Sequence, residues 1–242
     1  MYSAIAKSAN VYFYIIGGGF REQKGLGIER IKHYANAFGL GSRLGIDLPG
    51  EKEGFIPDPQ TKHLIDAQNP IWRIGDTYNT SIGQGGVLVT PLQMASLTAA
   101  IANGGNLWQP YLRQAILNTQ RKESEIRNPF LLRKIEIDPA NFVIIQEGMR
   151  QTVTSGTAHL LNEVGVSVAA KTGTAQAGFG LPHAWVTAFA PIENPEIAIV
   201  VMVEHAGEGS TVAVPITKEI LRWYFTRLSP ARISSATSTS VY

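Results

Sequence analysis

Lys171, Thr172, Gly173 and Thr174 follow directly on Val164 to Ala170, a run of small and β-branched residues. An ammonium and two hydroxyls in that setting can hold an anion or share a proton, and the glycine lets a bound group come close to the backbone. The preceding run favours a strand and Gly173 disfavours a helix start, so the lysine is predicted to sit on a strand. A second polar pair, Ser8 and Asn10, stands near the beginning, in Ala-Ile-Ala-Lys-Ser-Ala-Asn-Val-Tyr-Phe-Tyr. The serine hydroxyl can relay a proton, and the carboxamide can donate to a carbonyl while accepting from a lysine. Each group also has a local reading: a strand-edge lysine in water, a helix-start hydroxyl, a capping amide. Their occurrence in one chain favours a shared site over separate local roles.

The elements that must position these residues follow from pattern. Ala4 to Ile16 is apolar and aromatic and is stopped by Gly17-Gly18-Gly19, which predicts one helix carrying Ser8 and Asn10. Ile28, Ile31, Ala35 and Phe38 recur at helical spacing with charged residues between them, and Gly39 terminates that helix. From Gly41 to Asn79 the chain is rich in Gly, Pro and Asp and lacks sustained periodicity, which predicts a long loop over the site. Thr90-Pro91-Leu92-Gln93 is a capping box with proline at the first helical position, and Gly104-Gly105 marks the end. Leu112 to Ile137 reads as a peripheral hairpin. Asp138-Pro139 opens a helix with Phe142, Ile145, Met149 and Val153 on one face, and Ser155-Gly156-Thr157-Ala158 leads into a short further helix. Val166 to Ala177 is the strand bearing Lys171. Ala184 to Ala190 and Ile197 to Glu204 form a hairpin across Glu193-Asn194-Pro195. The final helix begins at Pro215, and its bulky residues Ile216, Ile220, Trp223 and Tyr224 are expected to lie on the sheet.

Composition narrows the chemistry. The 242 residues carry a net charge of +2, and no basic run of five appears, so nothing electrostatic supports a nucleic-acid partner. There are no cysteines, which excludes disulfides, thiolate catalysis and Cys-based zinc sites. The five histidines, at 33, 63, 159, 183 and 205, show no metal-ligand spacing, and His183 beside Trp185 is expected to pack or hydrogen-bond locally. No metal and no cofactor is expected. The longest apolar run, Ile197 to Val203, has seven residues, a strand's length. Nothing after Met1 reads as a signal peptide. Gly165-x4-Ala170-Lys171-Thr172 is one residue from a phosphate-binding loop, but Ala170 replaces its second glycine and Gly173-Thr174-Ala175 is a poor helix opening.

The Ser8-x-Asn10 and Lys171-Thr172-Gly173 segments are joined by Gly45-Ile46-Asp47-Leu48-Pro49-Gly50-Glu51, Ser81-Ile82-Gly83-Gln84-Gly85, Thr90-Pro91-Leu92-Gln93-Met94-Ala95 and His183-Ala184-Trp185. In these phrases, from about Ala4 to Arg227, the chain resembles the transpeptidase domain of class B penicillin-binding proteins of the elongation type, penicillin-binding protein 2. Ser81 and Gln84 are assigned to shaping a glycine-rich turn and Thr90 to a helix cap. The resemblance implies an α/β (α+β) fold of the penicillin-binding-protein and serine β-lactamase kind, with a five-stranded antiparallel sheet flanked by helices. One feature of the family is missing: no serine here has a lysine three residues on, and the nearest threonine version, Thr119-x-x-Lys122, lies in a polar stretch. The acylating serine, two strands and the nucleophile helix are therefore expected upstream of Met1. Residues 1–228 are expected to be an N-terminally truncated transpeptidase domain, inactive and marginally stable when isolated, with 229–242 a disordered Ser/Thr-rich tail.

By the same resemblance the intact protein cross-links peptidoglycan stem peptides ending in D-Ala-D-Ala, and β-lactams mimic that substrate. Ser8, Asn10 and Lys171 are the implied catalytic residues; Thr172, Gly173 and Thr174 the implied substrate-binding residues. Lys171 would hold the Ser8 hydroxyl and help move a proton to the leaving group, and Asn10 would hold the substrate's amide. Thr172 and Thr174 would bind the terminal carboxylate, with the Thr174 amide as half of an oxyanion hole. Implied partners are a glycan polymerase and elongation-complex proteins; the implied location is the extracytoplasmic face of the membrane, anchored by an upstream segment. Two other readings stand beside this one: a non-catalytic sensor or scaffold module of the same fold, and a nucleotide-binding protein acting through Gly165 to Thr172.

Overall fold

A computed structural model describes residues 1–228, so the expected tail at 229–242 lies outside the described residues. In chain order the elements are α1 (Tyr2–Ala6), α2 (Asn10–Gly18), α3 (Ile28–Ala37), α4 (Lys62–Ile65), α5 (Ile74–Ser81) and α6 (Pro91–Ala102). Four short strands follow, β1 (Asn106–Trp108), β2 (Ala115–Leu117), β3 (Glu123–Ile126) and β4 (Leu131–Lys134), then α7 (Pro139–Thr154) and a 3-10 helix, His159–Val164. The chain continues through β5 (Ala169–Ala175), β6 (His183–Ala190), β7 (Ile197–Val203) and α8 (Val214–Trp223). The helix α8 is preceded by a π-helical turn, Gly209–Ala213, and followed by another, Tyr224–Leu228. Two compact units result among the described residues: one contains Met1–Ser8 and residues 146–228, the other Ala9–Ile145. Among the described residues no helix is long and apolar enough to cross a membrane.

The first unit is built on an antiparallel sheet in the order β5-β6-β7. The central strand β6 has neighbours on both sides, and its Ala184, Val186, Ala188 and Ala190 alternate into a fully buried core with Val168, Ala170, Leu161, Val153 and Leu221. Small and β-branched residues at period two suit a strand covered on a face by closely packed helices. Register pairs Lys171 with Thr187 and Gly173 with Trp185. Gly209 packs against this part of the sheet so closely that a Cβ on it would stand 2.3 Å from the Trp185 carbonyl, which only glycine allows.

The second unit has its own core, Leu44, Ala100, Leu107, Ile135 and Phe142. The Thr90 capping box forms as the sequence indicates: Thr90 Oγ1 accepts from the Gln93 amide at 3.1 Å and Gln93 Oε1 accepts from the Thr90 amide at 2.9 Å. Gln93 is only 1% exposed, and its side-chain nitrogen donates to the Ser42 and Glu53 carbonyls, so one cap residue also anchors the glycine-rich segment.

Several expectations are corrected. The single helix expected from Ala4 to Ile16 is two helices, broken where Ser8 adopts φ 52°. The stretch 41–79, expected to be a long loop, contains α4 and α5. Propensity conceals α5, Ile-Gly-Asp-Thr-Tyr-Asn-Thr-Ser, which is supported by side-chain contacts: the Asp76 carboxylate caps its start by accepting from the Arg73 amide at 2.8 Å, and over a long range Tyr78 donates to the Gly19 carbonyl at 2.7 Å. The peripheral hairpin is confined to β2 and β3, while β4 pairs back with β1, an unexpected strand. In α8 the sheet side is Val214, Thr217 and Leu221, and the expected inward face is turned outward, with Ile216, Ile220 and Trp223 at 42, 41 and 56% exposure. Thr217 was hidden from a hydrophobic pattern because its hydroxyl is satisfied inside the helix by the Ala213 carbonyl at 2.8 Å.

Candidate active site

Ser8 and Lys171 are 163 residues apart in sequence, and the fold joins them in the first unit: Lys171 Nζ donates to Ser8 Oγ at 2.7 Å. Each is delivered by a definite element. Ser8 follows α1 and its amide donates to the Ile5 carbonyl at 3.1 Å, so the serine is held at the helix end by a backbone turn. A left-handed φ at a residue with a Cβ is uncommon and costs roughly 1 kcal/mol or more, so it persists only where the surroundings impose it. Lys171 projects from the middle of β5, and its second acceptor is the Thr172 carbonyl at 2.7 Å.

Burial decides the charge on this lysine. It lowers the Lys171 pKa from 10.5 to about 8, and no carboxylate opposes the shift. An amine with a pKa near 8 is populated in both protonation states close to neutral pH, the condition under which a group can give and take a proton efficiently.

Thr172 is 8% exposed, and its hydroxyl shares a 2.5 Å hydrogen bond with the Thr157 hydroxyl. Gly173 faces Trp185 across the ladder, and Thr174, opposite Ala184, is exposed. Asn10 belongs to the second unit, where it opens α2 and is exposed. The structure thus joins Ser8, Lys171 and Thr172 by hydrogen bonds, with Gly173 and Thr174 next on the same strand. Sequence reasoning passed over Thr157, which it read only as part of a helix lead-in. A hydroxyl residue after a glycine was the sole available signal.

Strand β5 continues through Thr174 to Ala175, so no helix N-terminus follows Lys171 of the kind a phosphate-binding loop needs. His183 does bond locally: its Nδ1 accepts from the His205 amide at 3.0 Å. Among the described residues no group of three or more His, Cys, Asp or Glu side chains could hold a metal ion.

A lysine on a glycine-containing edge strand, hydrogen-bonded to a serine at the end of α1, with helices packed on an antiparallel sheet, defines a penicillin-binding-type unit. The family described as the penicillin binding protein transpeptidase domain matches residues 1–222, and the chain belongs to it. It is 32% identical over 241 residues to the peptidoglycan D,D-transpeptidase MrdA of Acinetobacter baumannii, a match covering 89% of this chain and 34% of that protein. It therefore spans about a third of the length of that relative. Among solved structures it is similar to Pseudomonas aeruginosa PBP2 in complex with WCK 5153, with a TM-score of 0.79 and 34% identity over 94% of this chain and 49% of the other. It is also similar to PBP2 in the complex with MreC from Helicobacter pylori, with a TM-score of 0.75 and 33% identity over 93% and 40% of the two chains.

Proposed function

We propose that this chain supplies the S-x-N and K-T-G parts of a D,D-transpeptidase that cross-links peptidoglycan stem peptides by serine acyl transfer, and that residues 1–228 are the downstream portion of that one domain. The observation that carries the reading is the 2.7 Å hydrogen bond from Lys171 to Ser8. In the proposed mechanism an upstream serine attacks the carbonyl of a D-Ala-D-Ala terminus, forms an ester bond and expels D-Ala. The Ser8 hydroxyl passes a proton to the departing amine and the Lys171 ammonium, whose pKa of about 8 lets it give that proton up, resupplies Ser8, while the proton of the attacking serine goes to the lysine of the upstream S-x-x-K. Water or an acceptor amine then takes the acyl group by the reverse path. The Thr174 side chain meets the terminal carboxylate, with Thr172 and Gly173 shaping that strand edge, and the Thr174 amide contributes to an oxyanion hole.

Support for the substrate class comes from the relatives' printed activity and from the match to the penicillin-binding family. β-Lactams are proposed ligands on the same ground. The complex of a similar PBP2 with MreC supports partners in an elongation assembly; a glycan-polymerase partner and a place at the extracytoplasmic face of the membrane belong to the same proposal.

Fluorescent penicillin tests the proposal. The nucleotide sequence upstream of Met1 is expected to encode an S-x-x-K some tens of residues before Ser8, and a chain extended to include it is expected to form a covalent band. The present chain, in which no serine is followed by a lysine three residues on, is expected to form none. An extended chain that stays unlabelled would overturn the transpeptidase reading in favour of a non-catalytic module.

A further inference from the structure

Thr157 touches both sides of the Ser8 and Lys171 pair without belonging to either. Its amide donates to the Ala6 carbonyl at 3.2 Å, two residues before Ser8. Its hydroxyl shares the 2.5 Å hydrogen bond with Thr172, whose own carbonyl is the second acceptor of the Lys171 ammonium. Thr157 thereby ties the end of α1 to the middle of β5.

The surroundings hold Thr157 firmly in that place. Gly156 approaches the Ala6 carbonyl so closely that a Cβ would stand 2.3 Å from the oxygen, so any other residue would push the segment off α1. On the other side Ala158, fully buried, donates its amide to the Thr152 carbonyl at 3.0 Å. Thr172 is nearly buried, so water cannot readily replace a lost partner for its hydroxyl. Among the described residues no buried side-chain oxygen or nitrogen lacks a hydrogen bond, and for Thr172 the Thr157 hydroxyl supplies it.

We propose that Thr157 is a positioning residue for the Ser8 and Lys171 pair: its hydroxyl seats Thr172, and through that residue's carbonyl the ammonium, while its amide fixes the helix end that delivers Ser8. The inference rests on the reading of Ser8 and Lys171 as a proton-sharing pair and adds to it the residue that keeps the pair in register. A threonine suits the task because it offers a donor to a neighbouring hydroxyl at a branched, rotationally restricted Cβ.

The Lys171 side chain itself reports on the seat. Burial alone lowers its titration, so a loosened seat admits water and moves the titration back towards 10.5. The experiment follows the 13Cε shift of Lys171 against pH in the chain labelled at lysine, as wild type, Thr157→Val and Thr157→Ser. The wild type is expected to titrate at about 8, the valine variant at least about half a unit higher, and the serine variant, which keeps the hydroxyl, within about 0.2 units of wild type. A valine variant that melts at lower temperature yet leaves the Lys171 titration where it was would make Thr157 merely structural and overturn the proposal. If valine unfolds the chain, Thr157→Ala is read by the same criterion. A wild-type lysine titrating at 10.5 would overturn the underlying pair as well, a failure recognised before any Thr157 variant is made.

Discussion

Two sequestered lysines, one in each unit, behave in opposite ways. Lys171 has hydroxyl and carbonyl oxygen around its ammonium, and burial lowers its pKa to about 8. Lys62, only 7% exposed, donates to Asp76 at 2.8 Å with Asp66 at 3.6 Å, and the Asp76 hydrogen bond raises its pKa against the opposing effect of burial. The first arrangement leaves a lysine that can lose its proton near neutral pH. The second favours the charged amine and makes the lysine a clasp between α4 and α5. Neutral partners make a buried lysine reactive; carboxylate partners make it structural.

The strongest way to break that contrast is Lys171→Met in a chain extended to include the upstream S-x-x-K. Acylation by fluorescent penicillin is expected to fall by about 10² to 10⁴, the usual contribution of a positioned proton-transfer group. The same substitution has a signature in stability. The folded lysine has a lowered pKa, so the unfolded chain binds more protons between about 8 and 10.5, and wild-type stability rises with pH across that window. Denaturant unfolding at several pH values is expected to show this rise in the wild type and its absence in Lys171→Met; a flat wild-type profile would contradict the burial of a titrating amine.

Lys62→Met sharpens the other half. Asp76 would be left partly buried without its cation, and the loss is expected to be about 2 to 4 kcal/mol in denaturant unfolding, with the Lys171 titration unmoved. A shift at Lys171 would show that the two lysines are not independent. The smallest effect is expected from Thr90→Ala, which removes one half of the capping box on α6 at about 1 kcal/mol by the same measurement.

The parts legible beforehand share a property: each is specified within a few residues. The Thr90 cap, the α3 periodicity and the β6–β7 hairpin all depend on neighbours in sequence, and the structure carries them within a residue or two of their expected limits. The departures occur where distant chain decides. Nothing in Tyr2–Gly18 marks Ser8 for a left-handed φ, and the end of α1 just before it is hydrogen-bonded to the distant Thr157. Helix α5, weak in propensity, takes its distant support from Tyr78 donating to the Gly19 carbonyl. The outward face of α8 escaped the pattern because a threonine took the inward position.

The sequence alone determined which chemical groups this protein owns and the elements that local pattern specifies, among them α3, α6 and the β6–β7 hairpin, because residue type and short-range periodicity act before any tertiary contact forms. Its motifs also carried the family. Only the tertiary structure decided that the Lys171 ammonium meets the Ser8 hydroxyl, that burial sets its pKa near 8, and that Thr157 stands behind both. Desolvation and hydrogen-bond geometry depend on what surrounds a group in space, and for Lys171 and Ser8 the decisive partner lies 163 positions away.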